Sequence, residues 1–275
     1  MMKVSIQGVT GCFHEVAAKQ YFKDENIEIE PCASFELTLN AIVNGTVNYA
    51  VMAIENARSG SILQNYTLIR ESGMKILGEQ NLRIIQNLMA LPGQTIDAIH
   101  TVSSHPIALA QCMDYLSQRP QWTLIESDDT ALSAKEISEK KLYGVAAIAS
   151  KAAADIYGLE IMASEIETYK QNYTKFLIVG KQGVDCGDKM TICFSTKHQS
   201  GALAKVLVKL ADKNINLSKI QSVPKFNGEW EYMFYCELET PKNTTSEVIH
   251  RILRNYTSNL EILGIYKKGD MKYDS

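Results

Sequence analysis

The sequence has few of the features that mark fibrous, low-complexity or membrane proteins. Glycine and proline number only 16 and 6 among 275 residues, which excludes collagen and low-complexity chains. The longest apolar runs are about five residues, such as 145–149, and the amino terminus has no apolar stretch of signal-peptide length. We therefore expect no membrane association.

The sequence also lacks an excess of basic residues and the cysteine spacing that is typical of metal sites. The net charge is −3, with no basic tract and no aromatic stripe, which argues against nucleic acid as a partner. The cysteines form no CxxC pair and no zinc-ligand cluster; they are Cys12, Cys32, Cys112, Cys186, Cys193 and Cys236. We expect the cysteines to be reduced thiols that pack as small hydrophobic groups. We also expect a cytoplasmic protein without a metal or cofactor.

The first 180 residues alternate short apolar strands with helical patterns. The segment 49–54 is a nearly continuous apolar run, as in a strand covered on both faces, and apolar residues over 35–43 share one helix face. Strands separated by helices in this way predict βαβ units and a mostly parallel sheet. Ligands of such domains bind at the carboxyl ends of the strands.

The pattern changes near Gly180, where a polar, glycine-containing stretch follows. Beyond it, strand and helix patterns occur in the order βαββαβ, which is the ferredoxin-like unit. We predict a catalytic domain over residues 1–182, a linker over 183–188 and a smaller α+β domain over 189–275.

Four polar segments follow or begin predicted strands, and each has a structural explanation as well as a functional one. They are Gln7–His14, Glu55–Ser61, Ser103–Pro106 and Asn172–Phe176. The first is a glycine turn that either binds an anion through backbone amides or simply joins strand to helix. The third places a proline and possible caps at a helix start. In the last, Thr174 and Lys175 point to opposite sides of a regular strand.

In this order, the segments resemble the prephenate dehydratase family across nearly the whole chain. The motifs that carry the resemblance are Gly8…Gly11-Cys12-Phe13 with Glu15 and Ala17-Ala18, Glu55-Asn56…Gly60-Ser61, Ser104-His105-Pro106 with Gln111-Cys112, Asp129-Thr130-Ala131, Ala146–Ala149 and Asn172…Thr174-Lys175-Phe176. The carboxyl-terminal unit is similar to an ACT regulatory domain, and Gly201-Ala202-Leu203 matches its first ligand motif.

The resemblance implies an α/β catalytic domain of two lobes, similar to periplasmic binding proteins, with substrate in the cleft between them. It implies decarboxylating dehydration of prephenate to phenylpyruvate in phenylalanine synthesis, without a cofactor, in a homodimer or homotetramer. The family's catalytic hydroxyl falls on Thr174. The expected substrate-binding residues are Lys175, Phe176, Asn56, Glu55, Gly60, Ser61, Gly8, Gly11 and His105. L-Phenylalanine is the expected effector, at Gly201, Ala202, Leu203, Gln221 and Ser222.

The sequence departs from the family at three places. Lys175 stands where the family has arginine, which replaces a bidentate fork by a point charge. Ala57 replaces the usual serine, and Gln221-Ser222-Val223-Pro224 replaces Glu-Ser-Arg-Pro, which puts feedback control in more doubt than catalysis.

Two alternatives remain for the function. An arogenate dehydratase would perform the same chemistry on the aminated substrate, and no feature of the sequence separates it from a prephenate dehydratase. A non-catalytic amino-acid sensor is the other, although retention of Thr174 argues against it. A fused chorismate mutase is not expected, because the match begins close to residue 1.

Overall fold

The computed structural model describes residues 1–23, 25–184, 186–226, 230–241 and 244–270. The chain forms two compact units, one of Met1–Ser61 with Asn81–Phe176 and the other of Ile62–Gln80 with Leu177–Ser275. This division differs from the single boundary predicted at 183–188, because the segment 62–80 groups with the carboxyl-terminal residues. Asp185, in the predicted linker, lies outside the described residues.

Strands and helices alternate through the first unit and continue into the second. The strands are β1 (Met2–Gln7), β2 (Ile27–Cys32), β3 (Tyr49–Asn56), β4 (Gly60–Ser61), β5 (Lys75–Arg83), β6 (Asn87–Ala90), β7 (Thr101–Ser104), β8 (Thr123–Glu126), β9 (Val145–Ala149), β10 (Glu160–Ala163), β11 (Tyr173–Gly180), β12 (Lys189–Ser195), β13 (Asn216–Phe226), β14 (Trp230–Glu239) and β15 (Ser258–Tyr266). The α-helices are α1 (Phe13–Tyr21), α2 (Phe35–Val43), α3 (Leu63–Glu71), α4 (Pro106–Gln111), α5 (Met113–Leu116), α6 (Thr130–Lys140), α7 (Lys151–Tyr157), α8 (Ala202–Ala211) and α9 (Ser246–Leu253).

The first sheet has the strand order β2-β1-β3-β11-β5, with β4 paired to β3. Strands β1, β2 and β3 run parallel, and the apolar residues of β3 from Ala50 to Ile54 are buried, as expected for an inner strand. The outer strand β2 instead alternates isoleucine and glutamate over 27–30. The carboxyl end of β3 thus brings Glu55 and Asn56 to one edge of the sheet.

The second sheet, β10-β6-β9-β7-β8, forms the other lobe of the first unit. Strands β7, β8 and β9 are parallel, but β6 and β10 pair antiparallel, so the predicted mostly parallel sheet is right for only part of this lobe. Its core is built around Leu88, Val102, Leu109 and Ile148.

The second unit contains an antiparallel sheet of order β13-β14-β12-β15. Helices α8 and α9 pack on one face through Val206, Leu210 and Ile249. On the other face, Tyr66 of α3 stacks on Tyr235 with ring centroids 5.5 Å apart. The predicted fold class, two α/β lobes plus a ferredoxin-like βαββαβ unit, is confirmed. Among the described residues, no helix has both the length and the apolar character needed to cross a membrane.

Candidate active site

The Thr174 hydroxyl lies at the start of β11, with the residue only 8% exposed. Its Oγ1 accepts a hydrogen bond from Asn56 Nδ2 at 2.9 Å. A hydroxyl has one proton to donate and can accept at its lone pairs. Because Oγ1 is the acceptor here, the hydroxyl proton remains able to donate to a bound molecule.

The orientation of the Asn56 amide is fixed by the backbone. Asn56 Oδ1 accepts from the amides of Arg58 and Ser59, each at 2.9 Å, in an Asx turn after β3. Its Nδ2 therefore faces Thr174 and also donates to Asn172 Oδ1 at 2.9 Å. The sequence predicts that Asn56 binds a substrate carboxylate. In the structure both ends of the amide have partners within the protein, and Nδ2 positions the Thr174 hydroxyl; a substrate contact at Asn56 stays a prediction.

A chain of side-chain amides extends from Asn56 into the second lobe. Asn172 Nδ2 donates to Gln111 Oε1 at 2.9 Å, and Gln86 Nε2 donates to the same oxygen at 3.4 Å. Asn172 and Gln86 are buried. The chain links the end of β3, the start of β11, α4 and the segment before β6. From the sequence, Asn172 is noticed as the first residue of a polar segment and Gln111 only as part of a family motif, whereas Gln86 is missed.

Lys175 and Glu55 form an ion pair, with Nζ 3.4 Å from Oε2. Ser61 Oγ donates to the other carboxylate oxygen of Glu55 at 3.3 Å. Lys175 alternates with the buried Thr174 and Phe176 along β11, as predicted for a regular strand. A substrate carboxylate at Lys175 thus competes with Glu55. Gly60, at φ +83°, serves the tight connection that pairs β4 with β3, and no substrate contact is needed to explain it.

The glycine turn after β1 is engaged within the protein. The Gly8 amide donates to Cys32 O at 3.0 Å, and the Gly11 amide donates to Glu15 Oε2 at 2.6 Å. A Cβ atom at Gly11 would lie 2.9 Å from Ala153 Cα, and φ is +91°, so the residue is required for close packing against α7. Both amides already have acceptors within the protein, and a substrate contact at Gly8 and Gly11 stays a prediction.

Phe176 and His105 also have structural roles. Phe176 is 1% exposed and packs edge-on against His14, with ring centroids 5.0 Å apart, and its substrate contact stays a prediction. Burial lowers the pKa of His14 to about 4, which leaves a neutral ring. His105 is the N-cap of α4: its Nδ1 accepts from the Ile107 amide at 3.2 Å, with Pro106 at the first helical position. A substrate contact at His105 stays a prediction.

A cavity of about 400 Å³ adjoins the amide chain, within the range typical of small-molecule sites. Asn172 and Gln111 line it, so it lies one amide away from the Thr174 hydroxyl. Arg58 contributes the cation, and its guanidinium lies 4.1 Å above the ring of Tyr169. Asp114 and Glu167 also line the cavity, so its lining has one guanidinium and two carboxyl groups.

The predicted effector residues lie in the second unit. Gly201, at φ +76°, is the N-cap of α8, and Ala202 and Leu203 begin that helix. In the register of β13 with β14, Gln221 faces Tyr235, on the sheet face that packs against α3, whereas α8 packs on the opposite face. One chain therefore does not bring Gln221 to Gly201. A site made of both requires two copies of the unit.

Comparison with known proteins supports the resemblance. A sequence model described as "PDT: Prephenate dehydratase" matches residues 4–184. The bifunctional chorismate mutase/prephenate dehydratase of Escherichia coli K12 is 29% identical over 274 residues, which cover 96% of this chain and 70% of that protein. Arogenate dehydratase/prephenate dehydratase 2 of Arabidopsis thaliana is 35% identical over 283 residues, with 96% and 72% covered.

Solved structures extend the likeness to both units. Prephenate dehydratase from Arthrobacter aurescens in complex with L-Phe has a TM-score of 0.87 and 25% identity, and the match covers all of this chain and 92% of that one. A protein described as GqqA, a quorum quenching acylase, has a TM-score of 0.87 and 26% identity, with 98% and 100% covered. The resemblance stated from the sequence is confirmed.

Proposed function

The chain belongs to the prephenate dehydratase family, and on that premise we propose that Thr174 is the group that assists departure of the ring hydroxyl. Membership confirms the predicted reaction, in which prephenate loses carbon dioxide and water to give phenylpyruvate, a step of phenylalanine synthesis. The observation that carries the assignment is the 2.9 Å hydrogen bond from Asn56 to Thr174 Oγ1, which leaves the hydroxyl proton for the substrate.

For this reaction the protein needs mainly to orient the substrate and to supply one well-placed hydrogen-bond donor. Formation of an aromatic ring drives loss of both groups, so the barrier lies in separating charge as the hydroxyl departs. A donor fixed in advance at that oxygen stabilises the developing charge without reorganisation. Donation from Asn56 also polarises the Thr174 O–H bond, because hydrogen bonds in a chain strengthen one another.

The direct test uses purified protein and prephenate, with phenylpyruvate measured by absorbance and released carbon dioxide measured in parallel. We expect both products in equal amounts, well above a protein-free blank. Phenylpyruvate at the rate of the blank would contradict the proposed function.

Lys175 is proposed as a cation for a substrate carboxylate, and this leads to a paired substitution. Lys175→Met should raise KM about tenfold or more, because a hydrogen bond to a charged partner contributes roughly 1.5–3 kcal/mol. Lys175→Arg should keep KM near that of the wild type, since guanidinium matches a carboxylate in a bidentate way. Steady-state kinetics with prephenate measure both.

The control for Lys175 is Lys140→Met, which removes a lysine from an exposed pair with Glu136 on α6. It should leave KM unchanged. An unchanged KM in Lys175→Met would show that this lysine serves only its pair with Glu55.

Phenylalanine is proposed as an inhibitor that binds between two copies of the ferredoxin-like unit, in a homodimer or homotetramer. The L-Phe complex of the Arthrobacter relative supports the choice of ligand. The positive end of α8 at Gly201–Leu203 suits the carboxylate, and Gln221 of a second copy supplies the other side. With Gln221 in place of glutamate and Val223 in place of arginine, we expect inhibition only at raised phenylalanine concentration.

Gly201→Val should abolish phenylalanine binding, measured by calorimetric titration. Valine at φ +76° is strained and must shift the start of α8, although nothing lies within 4 Å of the added Cβ position. Gly45→Val is the matched control, because Gly45 has φ +74° and equally open space in the other unit. It should bind phenylalanine like the wild type. Equal binding by both variants would contradict the site.

We also propose that the protein is cytoplasmic, because thiols stay reduced in that compartment. All six cysteines are free thiols, and Cys12, Cys112, Cys193 and Cys236 are buried. Burial raises the pKa of each buried thiol to about 12, so these groups are protonated and unreactive at neutral pH.

A further inference from the structure

The loop 165–170 lies shortly before Thr174, where the chain returns from the second sheet to the first. Glu165 has φ +53°, a left-handed backbone conformation that is uncommon for a residue other than glycine. Lys170 Nζ donates to Glu165 O and, at 3.0 Å, to Glu167 O, so the loop is closed on itself. Such a backbone conformation persists only where the surrounding contacts hold it.

Arg83 holds both ends of this loop. It is the last residue of β5, after which the chain leaves the first sheet for the second. Its Nη2 donates to Glu165 Oε2 at 2.9 Å, and its Nε donates to Lys170 O at 3.2 Å. Because a guanidinium presents its donors in a rigid plane, this one side chain fixes the two ends of the loop relative to each other.

The first connection from the loop to Thr174 runs through Asn172. The amide of Ile84, the residue after Arg83, donates to Asn172 O at 2.7 Å. Asn172 Oδ1 accepts from Asn56 Nδ2 at 2.9 Å, and the same nitrogen donates to Thr174 Oγ1. A shift of the loop therefore moves Asn172 relative to Asn56, and it changes the hydrogen bonds that the Asn56 amide can make.

The second connection runs through Tyr169, which lies within the loop. The Arg58 guanidinium is 4.1 Å from the centroid of the Tyr169 ring, which is a cation–π contact. The Arg58 amide donates to Asn56 Oδ1 at 2.9 Å, and this bond helps to set the direction of the Asn56 side chain. Both connections thus end at Asn56, the residue whose amide nitrogen faces the Thr174 hydroxyl.

We propose that Arg83 is a positioning residue, which holds the loop 165–170 and thereby keeps the Thr174 hydroxyl directed at the leaving oxygen of the substrate. The inference rests on the proposed function, since it concerns the donor assigned there. Arg83 acts through Asn172 and Asn56, without itself contacting the substrate. A displacement of about 1 Å in a reacting group can lower a rate about 10²-fold, so loosening this loop has a measurable effect on kcat.

The test is a double-mutant cycle on kcat for prephenate, with Arg83→Met made in the wild type and in Thr174→Val. In the wild type, Arg83→Met should lower kcat about tenfold or more and change KM less than kcat. In the Thr174→Val background it should lower kcat by less than about twofold, because the hydroxyl that it orients is already gone. A residue needed only for stability would change kcat of the folded enzyme by the same factor in both backgrounds.

Arg70→Met is the matched control. Arg70 Nε donates to Glu261 Oε1 at 2.9 Å, and the side chains of Arg70 and Arg83 are 23% and 19% exposed. The control breaks the same kind of ion pair and should leave kcat close to that of the wild type. Arg83→Lys keeps the charge but lacks the rigid fork that holds two acceptors at once, so it should recover only part of the lost kcat.

Two results would overturn the inference. One is a folded Arg83→Met enzyme with kcat close to that of the wild type, and the other is an equal loss of kcat in both backgrounds. If Arg83→Met does not fold, the same cycle is measured with Arg83→Lys, whose smaller loss must again vanish beside Thr174→Val. Turnover of prephenate by the wild type leaves the proposed function intact in each case, whereas a wild type without turnover refutes that function itself.

Discussion

Replacing Thr174 with valine is expected to lower kcat about 10²- to 10³-fold while KM changes little. Removal of one preorganised donor to a developing oxyanion costs about 2.7–4 kcal/mol of transition-state stabilisation. Valine keeps the shape of threonine at a position that is only 8% exposed, so the loss reports the hydroxyl and not a cavity. Steady-state kinetics with prephenate measure the effect.

Two further variants separate chemistry from stability. Thr174→Ser restores a hydroxyl that Asn56 Nδ2 can still reach, and it should recover most of the lost rate. Thr123→Val makes the same substitution at an exposed position of β8, and it should leave kcat unchanged. A folded Thr174→Val enzyme with kcat within a few-fold of the wild type would remove Thr174 from the mechanism.

The ferredoxin-like unit could be predicted from the sequence because its signals are local. The apolar residues of β14 recur at every second position over 232–238, and those of α8 recur at helical spacing over 203–211. No local pattern indicates that α3 covers the second face of this sheet. Tyr235 and Glu237 are buried by a helix from residues 63–71, a long-range contact with no local signature.

The sequence predicts the candidate site only where a single side chain supplies the catalytic group. Thr174 was identified through a family motif. The chain of side-chain amides joins three distant parts of the sequence, through Asn56, Asn172 and Gln111. No characteristic residue spacing predicts such a chain. Glu167 lies in a polar stretch typical of a solvated loop, so its burial could be seen only in the structure.

A cluster of buried charges connects the segment 62–80 with the carboxyl-terminal residues that follow the predicted linker 183–188. Lys189 Nζ lies 2.6 Å from Glu79 Oε2 and 2.7 Å from Glu237 Oε2, and all three side chains are at most 3% exposed. The Tyr66 hydroxyl donates to Glu237 Oε1 at 2.6 Å, and the Gly269 amide donates to Glu79 Oε1 at 3.0 Å. A segment near residue 79 is thus part of the carboxyl-terminal core.

Lys189→Met should lower the free energy of unfolding by about 3–5 kcal/mol, because removing one partner leaves buried charge uncompensated. Two buried carboxylates would then lack the Lys189 ammonium that lies between them. Urea unfolding followed by circular dichroism measures the change. Lys209→Met breaks an exposed pair with Asp212 and should leave the free energy of unfolding nearly unchanged. Adding Glu79→Gln and Glu237→Gln to Lys189→Met should recover part of the lost stability, since the neutral amides no longer repel each other. A Lys189→Met protein as stable as Lys209→Met would mean that the buried cluster does not hold the unit together.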